Sequence, residues 1–255
     1  MSLAFTEFGD GEPVIVLHGL FGSGRNWTSV ARSLSDKYRV IAVDLPNHGL
    51  SDWSDAVCYE AQAKVVADFL IGHELWGATV LGHSMGGKIA MTLALDRPRL
   101  VGRLIVADIA PVSYNHHNLE IINALEAVNL RDIQTRDEVE SQLAKNIYNK
   151  KIRQFLMQNL LRNGDFFEWR INLNGLKAGM PQLQTFPSIG AEKQFSGPTL
   201  FLAGAESDYV QVQHHTQINH LFPNASIVSI ENAGHWLHAD NPKCFITSVL
   251  KFLCM

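Results

Sequence analysis

The sequence predicts an α/β fold, a doubly wound and mostly parallel sheet carrying one mainly helical insertion. Three observations predict it. Short apolar runs recur along the chain, stretches with helical spacing separate them, and the alternation breaks once, between Ser113 and Lys193. Pro13–His18, Tyr38–Val43, Thr79–Gly82, Arg103–Ala107, Pro198–Ala203 and Ser226–Ile230 are nearly continuous in apolar residues. Strands buried on both faces read this way, which implies a parallel sheet covered by helices. Crossover helices are expected at about Asn26–Ser35, Glu60–Glu74, Met85–Asp96 and Tyr209–Phe222. A last helix is expected at Pro242–Leu253, where Phe245, Val249 and Leu253 stand at i, i+4, i+8.

In the interrupting block, Thr135 and Glu138 make a capping box ahead of Val139, Leu143 and Ile147. Ile152, Leu156 and Leu160 form a second helical stripe, which Asn163-Gly164 is expected to end. Phe167, Trp169, Ile171 and Leu173 alternate and suggest a short extended segment. The expected organisation is therefore a core of residues 1–112 and 194–255, with residues 113–193 forming a helical cap over a site. A peripheral appendage is the plainer alternative.

Composition bounds the function. The 255 residues are 46% hydrophobic and 18% charged, with a net charge of −4, which excludes a disordered chain. No run of like charge offers a nucleic-acid footprint. The N-terminus lacks the pattern of a secretory signal, and no apolar stretch reaches membrane-spanning length. Three cysteines, Cys58, Cys244 and Cys254, are odd in number and unpatterned, as in a reduced cytoplasmic protein. Oligomeric state is left open.

The sharpest signal is Gly82-His83-Ser84-Met85-Gly86, between an apolar strand and a helical stretch. A nucleophile on such a turn needs glycine on both sides, because side chains at Gly82 and Gly86 would collide with backbone. The turn lifts the Ser84 hydroxyl to the carboxyl edge of the sheet, where doubly wound folds bind ligands. The N–H of Met85 opens a helix and suits an oxyanion. A second donor is expected from the N–H of Leu20, in the His18-Gly19-Leu20 loop after the first long strand. His235, directly after the last strand, is the expected base. His83 is read as supporting the turn, and His238 as lining the site or merely following it.

These motifs resemble the α/β-hydrolase superfamily over essentially the whole chain. Asn47-His48-Gly49-Leu50-Ser51, Gly82 to Lys88, Asp108-Ile109-Ala110-Pro111-Val112, Trp169-Arg170 and Gly234-His235-Trp236 are similar to the YbfF-type bacterial esterases. The resemblance implies ester or thioester hydrolysis by Ser84 and His235 through an acyl-enzyme, without cofactor or metal, on a small acyl ester or thioester. In the commonest superfamily pattern an Asp stands where this chain has Ser207. A hydroxyl cannot balance an imidazolium, so a carboxylate is needed from elsewhere. The YbfF-like arrangement implies Asp108, at the end of Arg103–Ala107, with Ser207 bridging to or steadying His235. Asp208 and Glu206 remain rivals, and Asp108 could instead anchor the start of the insertion.

Other signals are read as supporting. Asp44, Asn47, His48, Gly49 and Ser51 suggest a structured turn near the site. His116-His117 and His214-His215 lack metal-ligand spacing. Phe21, Trp27, Trp53, Met85, Phe166, Phe167, Trp169 and Trp236 are candidates for an apolar acyl pocket. Two competing functions stay open: a C–C bond hydrolase or synthase-type lyase of the same fold, and a non-catalytic binding protein on that scaffold.

Overall fold

The computed structural model describes residues 1–114, 118–190 and 192–254. The core begins with β1 (Phe5–Phe8), β2 (Glu12–Leu17), α1 (Thr28–Leu34), β3 (Tyr38–Val43) and α2 (Tyr59–Gly72). It continues through β4 (Ala78–His83), α3 (Met85–Asp96) and β5 (Val101–Ala107). The interrupting block holds α4 (Asn118–Glu126), α5 (Arg136–Leu143), α6 (Lys150–Leu156), β6 (Leu160–Asn163), β7 (Phe166–Trp169) and α7 (Leu173–Gln184). The chain then returns to the core with β8 (Thr199–Gly204), α8 (His215–Leu221), β9 (Ala225–Ile230), α9 (Leu237–Asp240) and α10 (Pro242–Leu253).

The main sheet has seven strands in the order β1-β3-β2-β4-β5-β8-β9. Every pairing is parallel except that of β1 with β3. All six expected strands are present. The addition is β1, an antiparallel edge strand too exposed to show as an apolar run.

The doubly wound character is visible in the two cores. Val14 and Val16 pack with Trp27, Leu34, Phe245 and Val249 on one face, under α1 and α10. Ile15 and Leu17 pack with Val66, Leu70, Ile89 and Ile218 on the other, under α2, α3 and α8. Successive residues of one strand thus feed opposite layers, as the two-residue period of a strand requires.

The insertion departs from its reading at Leu160, at Ile147 and at Leu173, which opens α7 instead of continuing the extended segment that ends as β7 at Trp169. The stripe Ile152, Leu156, Leu160 is helical only to Leu156, and Leu160 opens β6. Asn163-Gly164 does not end a helix; it enters a hairpin in which Asn163 pairs with Phe166 and Gly164 has φ +60. A two-residue loop needs that left-handed backbone. The Thr135 cap is present, its hydroxyl accepting from the Glu138 N–H at 3.3 Å, although α5 stops at Leu143, short of Ile147. The block is stitched to the core at Asn47–Gly49. The Gly49 N–H donates to the Arg170 carbonyl at 3.1 Å, and the Asn172 N–H to the Asn47 carbonyl at 3.0 Å.

Candidate active site

Ser84 stands between β4 and α3 with φ 52 and ψ −118, outside the regions that ordinary residues favour. The strain is held by close packing. A Cβ at Gly82 would strike the Gly86 carbonyl, and one at Gly86 would strike the Leu17 and His18 carbonyls. The elbow therefore lies against the end of β2, with the next loop beside it. A Cβ at Gly19 would come within 3.3 Å of the Ser84 Cβ. Of the six described non-glycine residues with positive φ, five (Phe21, Asn47, Ser84, Asp108 and Asn232) lie on loops around this edge. Such strain persists only where the surroundings over-determine it.

Leu20 and Met85 both wall the small cavity at Ser84. Met85 is the first residue of α3, so its N–H has no partner within the helix. Two buried histidines fix the Leu20 loop. His18 accepts from the Leu45 N–H through Nε2 at 2.9 Å and donates through Nδ1 to the Gly19 carbonyl at 2.8 Å. His48 accepts from the Phe21 N–H at 3.2 Å and donates to the Pro46 carbonyl at 2.9 Å. One nitrogen of each ring donates and the other accepts, which only a neutral imidazole can do. Burial pushes His18 down to about 4. Burial, with the nearby His18, pushes His48 down to about 3. Asp44 serves the same turn, accepting from the Gly24 and Leu50 N–H groups.

His235 follows β9. The Ser84 hydroxyl donates to its Nε2 at 2.9 Å, and its Nδ1 donates to the Asp108 Oδ2 at 2.7 Å. The Tyr209 ring stacks on the imidazole at 4.0 Å, and His83 donates through Nε2 to the His235 carbonyl at 2.8 Å. Burial drives His83 well below the ordinary histidine range, so it holds the loop as a neutral ring.

Asp108 directly follows β5, with φ 51 and no solvent exposure. Its Oδ1 accepts from the Gly204 N–H at 2.9 Å, and its Oδ2 accepts from the Ser207 hydroxyl at 2.5 Å as well as from His235. Ser207 therefore touches the Asp108 carboxylate, and through it the imidazole. The rivals lie elsewhere: Asp208 is exposed and accepts from Gln211, and Glu206 is exposed.

The larger cavity, about 300 Å³, joins Ser84 and His235 to an apolar wall of Phe21, Trp27 and Trp236 from the core, with Ile121, Ile152 and Phe155 from the insertion. His238 lines it too, stacked on Trp27 at 4.2 Å, its buried Nδ1 finding no hydrogen-bond partner among the described residues. Of the other aromatic candidates, Trp53 and Phe166 are exposed and Phe167 is core. Trp169 spends its indole N–H on the Leu125 carbonyl. Tyr209, Asn159 and Lys88 were not singled out from sequence. Asn159 donates to the Phe21 carbonyl at 2.7 Å, a contact across 138 positions that no local pattern signals. No cluster of three or more metal-ligating side chains occurs among the described residues, which do not include His116-His117.

Comparison with known proteins places this geometry among relatives. The sequence model of a family described as alpha/beta hydrolase fold matches residues 12–242. The chain is 42% identical over 248 residues to the sn-1-specific diacylglycerol lipase ABHD11 of Mus musculus, covering 94% of this chain and 80% of that protein. It is 34% identical to Esterase YbfF of Escherichia coli (strain K12), over 94% of this chain and 92% of the relative. A solved structure titled marine microorganism esterase superposes with a TM-score of 0.95 at 39% identity, over 98% of both chains.

Proposed function

The chain belongs to the alpha/beta hydrolase fold family, and from that premise we propose that it is a serine hydrolase of carboxylic ester or acyl thioester bonds, working through an acyl-enzyme. The observation that carries the reading is the unbroken hydrogen-bonded line from Ser84 through His235 to Asp108. The esterase and lipase names of the relatives support it.

As Ser84 Oγ attacks the carbonyl carbon, its proton passes to His235 Nε2. The Asp108 carboxylate holds Nδ1–H in place and balances the imidazolium. The carbonyl oxygen takes the displaced electron pair and is met by the Leu20 and Met85 N–H groups. Each such donor is worth about 3 kcal/mol in a dry site. When the tetrahedral adduct collapses, an alcohol leaves with the proton from His235. A thiolate needs little such help. Water then repeats the sequence on the acyl-enzyme, losing its proton to His235 and releasing the acid. Residues 113–193 act as a cap whose Ile121, Ile152 and Phe155 give the larger cavity its apolar wall. The reaction draws on no cofactor.

The test is a panel of 4-nitrophenyl esters and matching acyl thioesters of graded length, run beside Ser84→Ala and a fluorophosphonate probe. The expected result is turnover of at least one series, probe attached to Ser84, and a loss of about a thousandfold or more in the variant. Negligible turnover across both series would favour carbon–carbon chemistry. An unlabelled Ser84 would favour a binding protein. Either result overturns the proposal.

A further inference from the structure

Lys88 lies one helical turn past Ser84 on α3, and the reaction written above does not use it. Its side chain is 2% exposed. Its Nζ donates to the Thr185 carbonyl at 2.6 Å and lies 4.9 Å from the ring centre of Tyr114 and 5.3 Å from that of Tyr59. An ammonium carries three donors, and among the described residues no carboxylate answers this one. Burial alone pushes it down to about 7, with no neighbouring acid to raise it. A desolvated cation without a counter-charge is costly.

Lys88 and Ser84 wall the same small cavity, of about 40 Å³, together with Leu20, Met85, Tyr59 and Tyr114. That space shares Ser84 and Leu20 with the larger apolar cavity of about 300 Å³. A water's share of liquid volume is roughly 30 Å³, so the small cavity suits a group of two or three heavy atoms. Ser84 and Lys88 line one cavity of only about 40 Å³, so an acyl group bonded to Ser84 and reaching Lys88 through it must be short.

We propose that the small cavity is a carboxylate-binding subsite, in which Lys88 pairs with the distal carboxylate of a short dicarboxylic hemi-ester while the alcohol portion occupies the larger cavity. The proposal rests on the hydrolase reading above. The substrate supplies the missing counter-charge through charge-assisted hydrogen bonds, and the two cavities divide a polar acyl end from an apolar alcohol.

The experiment measures kcat/KM at pH 7, by proton release, for two pairs of esters. Methyl hydrogen malonate is set against methyl 3-methylbutanoate, and methyl hydrogen succinate against methyl 4-methylpentanoate. In each pair an isopropyl group replaces the carboxylate. The wild-type chain should prefer at least one hemi-ester about tenfold to a hundredfold, the range of a hydrogen bond to a charged group. In Lys88→Met that ratio should fall to about one or below, whatever happens to the absolute rates. A wild-type ratio of one or less in both pairs overturns the proposal, as does a ratio that Lys88→Met leaves unchanged, which is what a purely structural lysine would give. If Lys88→Met does not fold, protection of wild-type Ser84 from the fluorophosphonate decides. Malonate or succinate protecting tenfold better than its branched counterpart supports the subsite, and equal protection overturns it. No turnover of any of the four esters, with Ser84 unlabelled, overturns the hydrolase reading itself.

Discussion

Replacing Asp108 with Asn tests the acid assignment with almost no change of shape. The carboxylate accepts three protein donors: the Gly204 N–H on Oδ1, and Ser207 and His235 on Oδ2. In Asp108→Asn the remaining oxygen can stay on the Gly204 N–H, which puts the amide NH2 where Oδ2 was. Ser207 can rotate its hydroxyl and accept. The imidazole, facing a donor at 2.7 Å, has to present a bare Nδ1 and carry its proton on Nε2. Nε2–H cannot accept the Ser84 proton, so the base is lost while the fold remains. A triad held in the wrong tautomer loses about 10⁴ in kcat, which is about 5.4 kcal/mol at 1.36 kcal/mol per decade. The assay is steady-state turnover of the best ester from the panel, with thermal unfolding measured beside it to show that the variant is folded. Asp208→Asn should stay within about twofold of wild type, since among the described residues the exposed Asp208 hydrogen-bonds only to Gln211. Asp108→Asn retaining a tenth of wild-type activity, or Asp208→Asn losing a thousandfold, would refute the reasoning.

Ser207→Ala removes one of those three donors and leaves His235 paired, so kcat should fall about threefold to thirtyfold with KM little changed. Steady-state kinetics decides it. Gly86→Ala should be far more damaging than an ordinary helix substitution, because the new methyl meets the Leu17 and His18 carbonyls rather than a movable side chain. A stability loss of about 1–3 kcal/mol is expected in urea denaturation, together with lost turnover. Acid should also destabilise the fold through His18 and His48, held at about 4 and about 3 against an ordinary 6.5. Between pH 6.5 and those values the unfolded chain binds protons that the native chain refuses, so stability falls as pH falls through that window. At pH 5 each ring contributes a loss of about 2 kcal/mol. Urea midpoints at pH 7 and pH 5 check this, and a combined loss below about 1 kcal/mol would contradict it.

What the sequence made legible follows physical locality. Five parallel strands, β2 to β5 and β8, declare themselves because both faces are largely buried; β9, an edge strand with Val228 at 38% exposure, shows only through its apolar residues, and β1, with Phe5 at 41% exposure, lacks even that run. The elbow is readable because its steric demand is written into Gly82 and Gly86. The contact of Asp108 with His235 is legible because Ser207 leaves the usual acid position without a charge and the resemblance then implies Asp108. The misread stripe at Leu160 reflects a real ambiguity: Asn-Gly both stops helices and starts hairpins. Tyr209 on His235, Asn159 on the Phe21 carbonyl and Lys88 under Thr185 were invisible, since each contact joins segments that only the folded chain brings together.

The position of His235 after β9 has a consequence for how the chain comes to work. As the polypeptide emerges, the hydroxyl, the carboxylate and the oxyanion loop arrive with β2, β4 and β5, while the imidazole arrives only once β8 and β9 have extended the sheet from its β5 side. Until then the serine is an inert alcohol, on the roles proposed here. Reactivity switches on with the last strands to assemble, so a half-built molecule has no means of attacking the esters around it.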